Sequence, residues 1–151
     1  MLKERLQKGF TLIELMVVVS IIGILMAAGI LAFSNAQTSA RDAKRKADVD
    51  AISKALEQYN QNNGGVYPPS TTIATTALTS YFPNGALPAD PQGGSYTITA
   101  GAASPQIIYC VCIKLEKPKS GNATTLGANG VCAYQATGSV GSDYQCASQR
   151  Q

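Results

Sequence analysis

Glu14 is the one charged side chain among the 24 residues from Phe10 to Phe33. An ionisable group inside so apolar a run is a functional candidate by default, and the chemistry open to it is pairing. A carboxylate held in hydrocarbon costs several kcal/mol unless a cation or hydrogen-bond donors meet it. A second set of candidates is Cys110, Cys112, Cys132 and Cys146, all in the last third of the chain. Four cysteines can close two disulfides or hold a metal ion through thiolates. Zinc sites usually present paired C-x2-4-C knuckles, whereas here one tight C-V-C pair is followed by two isolated cysteines, so disulfides are the reading adopted. Cys110 and Cys112, two apart on a predicted strand, share a face. They are poorly placed to bond each other, and each is expected to reach one of Cys132 and Cys146.

Beyond Gly64 the acidic residues are Asp90, Glu116 and Asp143, with no histidine anywhere and no G-x-S-x-G motif. No catalytic residue is assigned, and no enzymatic activity is expected. Asp90 and Asp143 offer oxygen ligands to calcium, but two scattered carboxylates read better as turn residues. Neither a metal nor a cofactor is expected.

The elements that must position these residues divide the chain into two solvents. Its 151 residues predict one folded domain, and its mean hydropathy near zero resembles that of a soluble protein. That average hides a concentration of apolar residues between Phe10 and Phe33, against a Gly, Ala, Ser, Thr, Asn and Pro-rich stretch after Gly64. Of the net charge of +3, Lys3, Arg5 and Lys8 against Glu4 supply +2 before residue 9. The remainder carries nine basic and eight acidic side chains. A broad basic face for nucleic acid is therefore not indicated, and Arg41, Lys44, Arg45 and Lys46 are read as a solvated or headgroup-facing collar.

The basic stretch MLKERLQKG should stay in the cytoplasm. The 24 residues that follow, at ~1.5 Å per residue, give a helix of roughly 36 Å, enough to cross a bilayer. Fourteen of them are Leu, Ile, Val or Phe, and each contributes about −0.3 to −0.6 kcal/mol to insertion, which outweighs one edge carboxylate. A removable secretory signal is disfavoured because the apolar run exceeds the usual h-region and contains a carboxylate. A plain signal anchor leaves Glu14 without a purpose. A buried core helix does not explain the basic flank.

The string Gly9-Phe10-Thr11-Leu12-Ile13-Glu14-Leu15, after a short basic leader and before a long apolar run, resembles the class III signal of type IV pilins and pseudopilins. The resemblance implies cleavage by a prepilin peptidase between Gly9 and Phe10, methylation of the new amino group of Phe10, and a role for Glu14 as the carboxylate that guides subunit assembly. Cleavage would create an ammonium on Phe10, four residues from Glu14; the pairing charge can come from the same chain or a neighbour, and if from a neighbour it would set the axial offset in an otherwise apolar interface. Ser20, Gly23, Ala27 and Gly29 offer small surfaces where helices can approach closely. Leu31 stands where many pilins carry proline, so a proline kink is not expected.

After Phe33, Ala36, Ala40, Ala43, Ala47, Ile52, Leu56 and Tyr59 recur at helical spacing and predict an amphipathic continuation whose apolar stripe receives a sheet. Asn62-Asn63-Gly64-Gly65 stops that helix, and Pro68-Pro69 prevents its resumption. A proline-studded connection from Tyr67 to Pro91 is expected to hold a short helix near Ala74 to Tyr81. Strands are expected at Ser95 to Thr99, Gln106 to Leu115 and Val131 to Ala136, with Asn129-Gly130 as a turn. The run from Leu87 to Tyr96 also resembles the Asp-Pro turn of major pseudopilins of type II secretion.

The expected fold class is α+β, a long N-terminal helix packed on a small antiparallel sheet head. Its parts are a cleaved leader (1–9), a membrane-spanning or filament-core helix (10–33), its amphipathic continuation (34–63) and a β-rich head with a disulfide-closed C-terminal loop (64–151). The expected function is that of a structural subunit of a type IV pilus-like filament, with a pseudopilin of type II secretion as the alternative. The expected partners are further copies of the chain in a helical filament, a prepilin peptidase, the pilus or secretion assembly machinery of the inner membrane, and membrane lipid before assembly. No specific nucleic acid is expected. The location would be the bacterial inner membrane, single-pass with the N-terminus cytoplasmic, and then an extracytoplasmic or surface filament.

Overall fold

The computed structural model of the chain describes residues 9–69, 77–102, 105–135 and 141–149. Its elements are α1 (Leu12–Asn62), a 3-10 turn (Thr79–Tyr81), β1 (Thr97–Ala100), β2 (Tyr109–Lys114) and β3 (Tyr144–Ser148). Two compact units divide the chain, Met1–Gln37 and Thr38–Gln151.

In the first unit α1 begins with a capping box. Thr11 is the N-cap, its side-chain oxygen accepting the Glu14 N–H at 3.3 Å while the Glu14 carboxylate accepts the Thr11 N–H at 2.8 Å. The helix assignment passes through Leu31 without interruption. Its large apolar side chains, among them Leu12, Ile13, Ile24, Leu25, Ile30 and Phe33, are exposed within the unit, as is Phe10 just before it. One stretch of α1 is long and apolar enough to cross a membrane.

In the second unit α1 ends where the Asn-Asn-Gly-Gly signal places it. The Gly65 N–H donates to Asn60 O at 2.9 Å, the six-to-one bond of a Schellman cap, and Gly64 at φ +69° supplies the left-handed residue that the cap requires. Val49, Ile52, Ala55 and Leu56 from α1 form one core with Tyr109, Val111, Ile113 and Leu115, to which Leu78, Tyr67 and Ala100 add. Ser53 and Glu57 bond the hydroxyl of Tyr109 at 2.7 and 3.0 Å, so the fully buried phenol is satisfied.

The sheet order is β1-β2-β3, antiparallel throughout. Strand alternation sends Tyr109, Val111 and Ile113 of central β2 to the core with Ile98 and Ala147, whereas Cys110 and Cys112 enter a second cluster with Cys132, Cys146 and Ala123. The segment after Lys119 runs beside β3: Gly121 N–H donates to Ser142 O, and Asn122 and Ala123 N–H both donate to Tyr144 O. The side chain of Asn122 then imitates a strand partner, donating to Cys146 O and accepting the Cys146 N–H.

Three expectations are corrected. Val131 to Ala136 is not a strand: Val131 and Tyr134 make isolated bridges to Ala128 and Ala123, and Ala136 lies outside the described residues. The third strand is instead β3, within the stretch read as a loop. Its Tyr-Gln-Cys-Ala-Ser sequence has no β-branched residue, so its pairing is imposed by tertiary partners rather than propensity. The alanine stripe is exposed at Ala36, Ala40, Ala43 and Ala47. A methyl group gains too little on burial to orient a helix, and the face turned inward there carries Asp42 and Arg45. Of the short helix expected near Ala74 to Tyr81, residues 74–76 lie outside the described residues and the rest is the 3-10 turn.

Candidate functional site

Two sites emerge, one in each unit. In the first, both short bonds from Thr11, the N–H and the Oγ1 hydroxyl at 2.8 Å each, converge on Glu14 Oε2. The carboxylate is thus held by its own chain at the mouth of α1, where helix N-terminal N–H groups favour a negative charge. Oε1 takes neither bond. Gly9 and Phe10 precede the helix; Phe10 is 89% exposed, and nothing among the described residues lies within 4 Å of a Cβ built on Gly9. Residues 1–8 of the leader lie outside the described residues.

The second site is an ion network in the head that the sequence reading missed. Arg45, 4% exposed, donates through Nε to Asp90 Oδ1 at 2.5 Å, through Nη2 to Asp90 Oδ2 at 3.2 Å, and through Nη1 to Asp42 Oδ1 at 3.0 Å and Glu116 Oε1 at 2.7 Å. Arg41 forks onto Glu116 at 2.8 and 2.6 Å. Asp42 also accepts the N–H groups of Glu116 and Lys117 at 2.9 and 2.8 Å. Asp90 Oδ2 accepts the N–H groups of Gln92 and Gly94 at 3.0 Å each, which fixes the Asp-Pro turn. The Arg45 guanidinium lowers the Asp90 carboxyl to about 2; burial opposes this, and the Gly94 and Gln92 N–H groups add to it. Glu116 is lowered chiefly by Arg41, and Arg45 is raised chiefly by Asp90.

The basic cluster is therefore not a solvated collar. Arg41 and Arg45 clamp the head, Lys46 donates to Ser120 O at 2.7 Å, and Lys44 reaches Asp48 at 2.9 Å and Ala89 O at 3.0 Å. Partners 45 to 75 residues away leave no local pattern. The available signal was periodicity run backwards from the large residues: Leu56, Ile52 and Val49 step directly onto Arg45 and Asp42.

The structure joins Cys110 to Cys132 and Cys112 to Cys146, with Cα separations of 5.2 and 4.2 Å. The second bond links residues directly opposite in the β2–β3 register, at the spacing of a non-hydrogen-bonded antiparallel pair. Asp143 accepts the Lys119 N–H at 3.0 Å, and Asp90 is committed to Arg45, so the two are not brought together as ligands. Among the described residues the four cysteines are the one group of three or more metal-capable side chains.

Residues 5–30 match a family model described as the prokaryotic N-terminal methylation motif. The type II secretion system core protein G of Pseudomonas aeruginosa is 33% identical over 141 residues, covering 83% of this chain and 97% of that protein. The chain belongs to the type IV pilin and pseudopilin family. Other pilin-family relatives are the type IV major fimbrial protein FimA of Dichelobacter nodosus, 34% identical over 128 residues (76% of this chain, 80% of FimA), and the type IV major pilin PilE of Neisseria gonorrhoeae, 37% identical over 75 residues (50% of this chain, 44% of PilE). No solved structure matches the chain at a significant level. The α+β architecture, a long N-terminal helix and a small antiparallel sheet, is that of a pilin-family structural subunit of a type IV pilus-like filament.

Proposed function

We propose that a prepilin peptidase cuts this pilin-family chain between Gly9 and Phe10, that the new amino group of Phe10 is methylated, and that Glu14 then sets subunit register by pairing with the Phe10 ammonium of a neighbour. The observation that carries this reading is the state of Glu14. It is the single charge in an exposed apolar helix segment, and its Thr11 bonds occupy Oε2, leaving Oε1 to an incoming cation. The exposed apolar surface from Leu12 to Phe33 calls for cover, by lipid while the subunit waits in the inner membrane and by other helices once it is in the filament. The assembly machinery of the inner membrane would move it from one to the other.

The test is competition between variants. Glu14→Ala should leave insertion and cleavage intact, but an unpaired buried ammonium costs about 3 to 5 kcal/mol per subunit. That is roughly a hundredfold or more at each association step, since 1.4 kcal/mol is about tenfold. Co-expressed with wild type, the processed variant should be strongly depleted from sheared filaments. Glu14→Gln keeps an acceptor for the Thr11 N–H without the charge and should be depleted as well. Normal incorporation of Glu14→Gln would assign Glu14 to capping alone.

A pseudopilin of type II secretion is the second reading, favoured by the near-complete coverage of core protein G and by the Asp90-Pro91 turn. Deletion of the gene separates the two: loss of long surface fibres supports the pilus subunit, whereas retention of exported proteins in the periplasm supports the pseudopilin.

A further inference from the structure

All four sulfurs of Cys110, Cys112, Cys132 and Cys146 lie within 4.8 Å of one another, although each is bonded to one partner only. Two independent disulfides have no need to touch. These do, because Cys110 and Cys112 leave the same face of β2 two residues apart, bringing their sulfurs to 3.4 Å. The ligand set comes from three segments: β2 supplies two sulfurs, β3 supplies Cys146, and the 128–131 hairpin delivers Cys132. Cys110, Cys112 and Cys146 are buried, and Cys132 at 9% exposure forms the outer wall. Gly127 passes so close that any Cβ there would strike Cys110 Sγ and Val131 O. The cluster is therefore a buried group of four thiol-capable sulfurs with Gly127 packed against it.

We propose that the thiol form of this head is a tetrathiolate site for one thiophilic divalent cation of the zinc class, so that metal and disulfide are alternative occupants of the same four sulfurs. Tetrahedral zinc sites hold four thiolates at about 2.3 Å from the metal, and once the two S–S bonds are reduced the four sulfurs start within 4.8 Å of one another. The chemistry balances. A phosphine and one water convert each disulfide to two thiols and a phosphine oxide, and the cation then displaces four thiol protons to give a dianionic tetrathiolate. On reoxidation each bond re-formed passes two electrons to a donor disulfide, which leaves as two thiolates, and the metal is expelled.

The experiment uses the full chain in detergent micelles, reduced by a phosphine, desalted anaerobically and titrated with Co²⁺ and then Zn²⁺. The expected result is one Co²⁺ per chain with the intense visible bands and thiolate charge transfer of a tetrahedral sulfur site, release of four protons, and displacement by one Zn²⁺. The near-UV tyrosine signal of the head should persist or be restored by the metal. Cys132→Ser should weaken cobalt affinity by at least about tenfold and move the spectrum to a mixed sulfur–oxygen set. A pale octahedral spectrum, which carboxylates alone would give, overturns the proposal. So does the titration of four free thiols in the presence of metal, whether or not the reduced head keeps its fold.

Discussion

Asp90→Asn tests the ion clamp with little change of shape. The amide oxygen keeps an acceptor for the Gln92 and Gly94 N–H groups, while the charge facing Arg45 and the acceptor for its Nε–H are both lost. The Asp90 carboxyl lies near 2 against an ordinary value of 3.8, and at about 1.4 kcal/mol per unit the ionised form contributes on the order of 2 kcal/mol to folding. Asp42 and Glu116 still face Arg45 in the variant, so the loss should fall short of the ~3 to 5 kcal/mol of a wholly orphaned buried charge. The expected cost is about 2 to 3 kcal/mol at neutral pH, or roughly 10 °C in melting temperature for a unit of this size. Because the folded pKa lies below the unfolded one, this contribution is complete above pH about 4 and is lost as the pH falls through about 2. The variant should therefore show a flatter acid limb, with the remainder of the slope coming from Glu116, which is also lowered. All seven tyrosines lie in the second unit and the chain has no tryptophan, so near-UV circular dichroism of detergent-solubilised protein reports the head without interference from the apolar segment. A variant within ~0.5 kcal/mol of wild type that keeps the full acid slope would refute the clamp, since that is the spread of an ordinary surface substitution.

If the chain is cut after Gly9 as proposed, Gly9→Val should leave precursor in the membrane, because a branched side chain would then have to fit where a residue without Cβ is accepted; mature-length protein on a gel would contradict the proposed position. Gly130→Ala should cost about 1 to 3 kcal/mol in tyrosine-monitored melts, since φ is +76° and the new Cβ would meet Gly101 N at 2.6 Å and Ile108 O at 2.8 Å. Gly93→Ala, at φ +77° in open space, should cost distinctly less. Reduction in the presence of a chelator should destabilise the head by roughly 2 to 5 kcal/mol and leave membrane insertion unchanged. Four reactive thiols in the unreduced protein would remove the disulfides.

Legibility followed the range of the interaction. The Asn-Asn-Gly-Gly stop and the Asn129-Gly130 turn are each set within a few residues and were legible in the sequence, whereas the equally local capping box of Thr11 and Glu14 was not read there. Asn129 and Gly130 take φ +50° and +76°, the paired positive values of a tight primed turn, between bonds linking Ala128 and Val131. Arg45 was misread because its charge suggested water, while its partners Asp90 and Glu116 come from segments that only the folded head brings near. β3 was misread for the related reason that its pairing comes from Cys112 and Asn122, not from its own residues. In the first unit the exposed apolar run and its single carboxylate are written in the sequence, but the Thr11 bonds to Oε2 required coordinates.

Processing at Gly9, which would free Phe10 for assembly, leaves its clearest mark on the intact mass of the protein extracted from membranes. The expected mass lacks residues 1–9 and carries one added methyl group on Phe10. A full-length mass, or cleavage beyond the apolar run near Ala36, would contradict it.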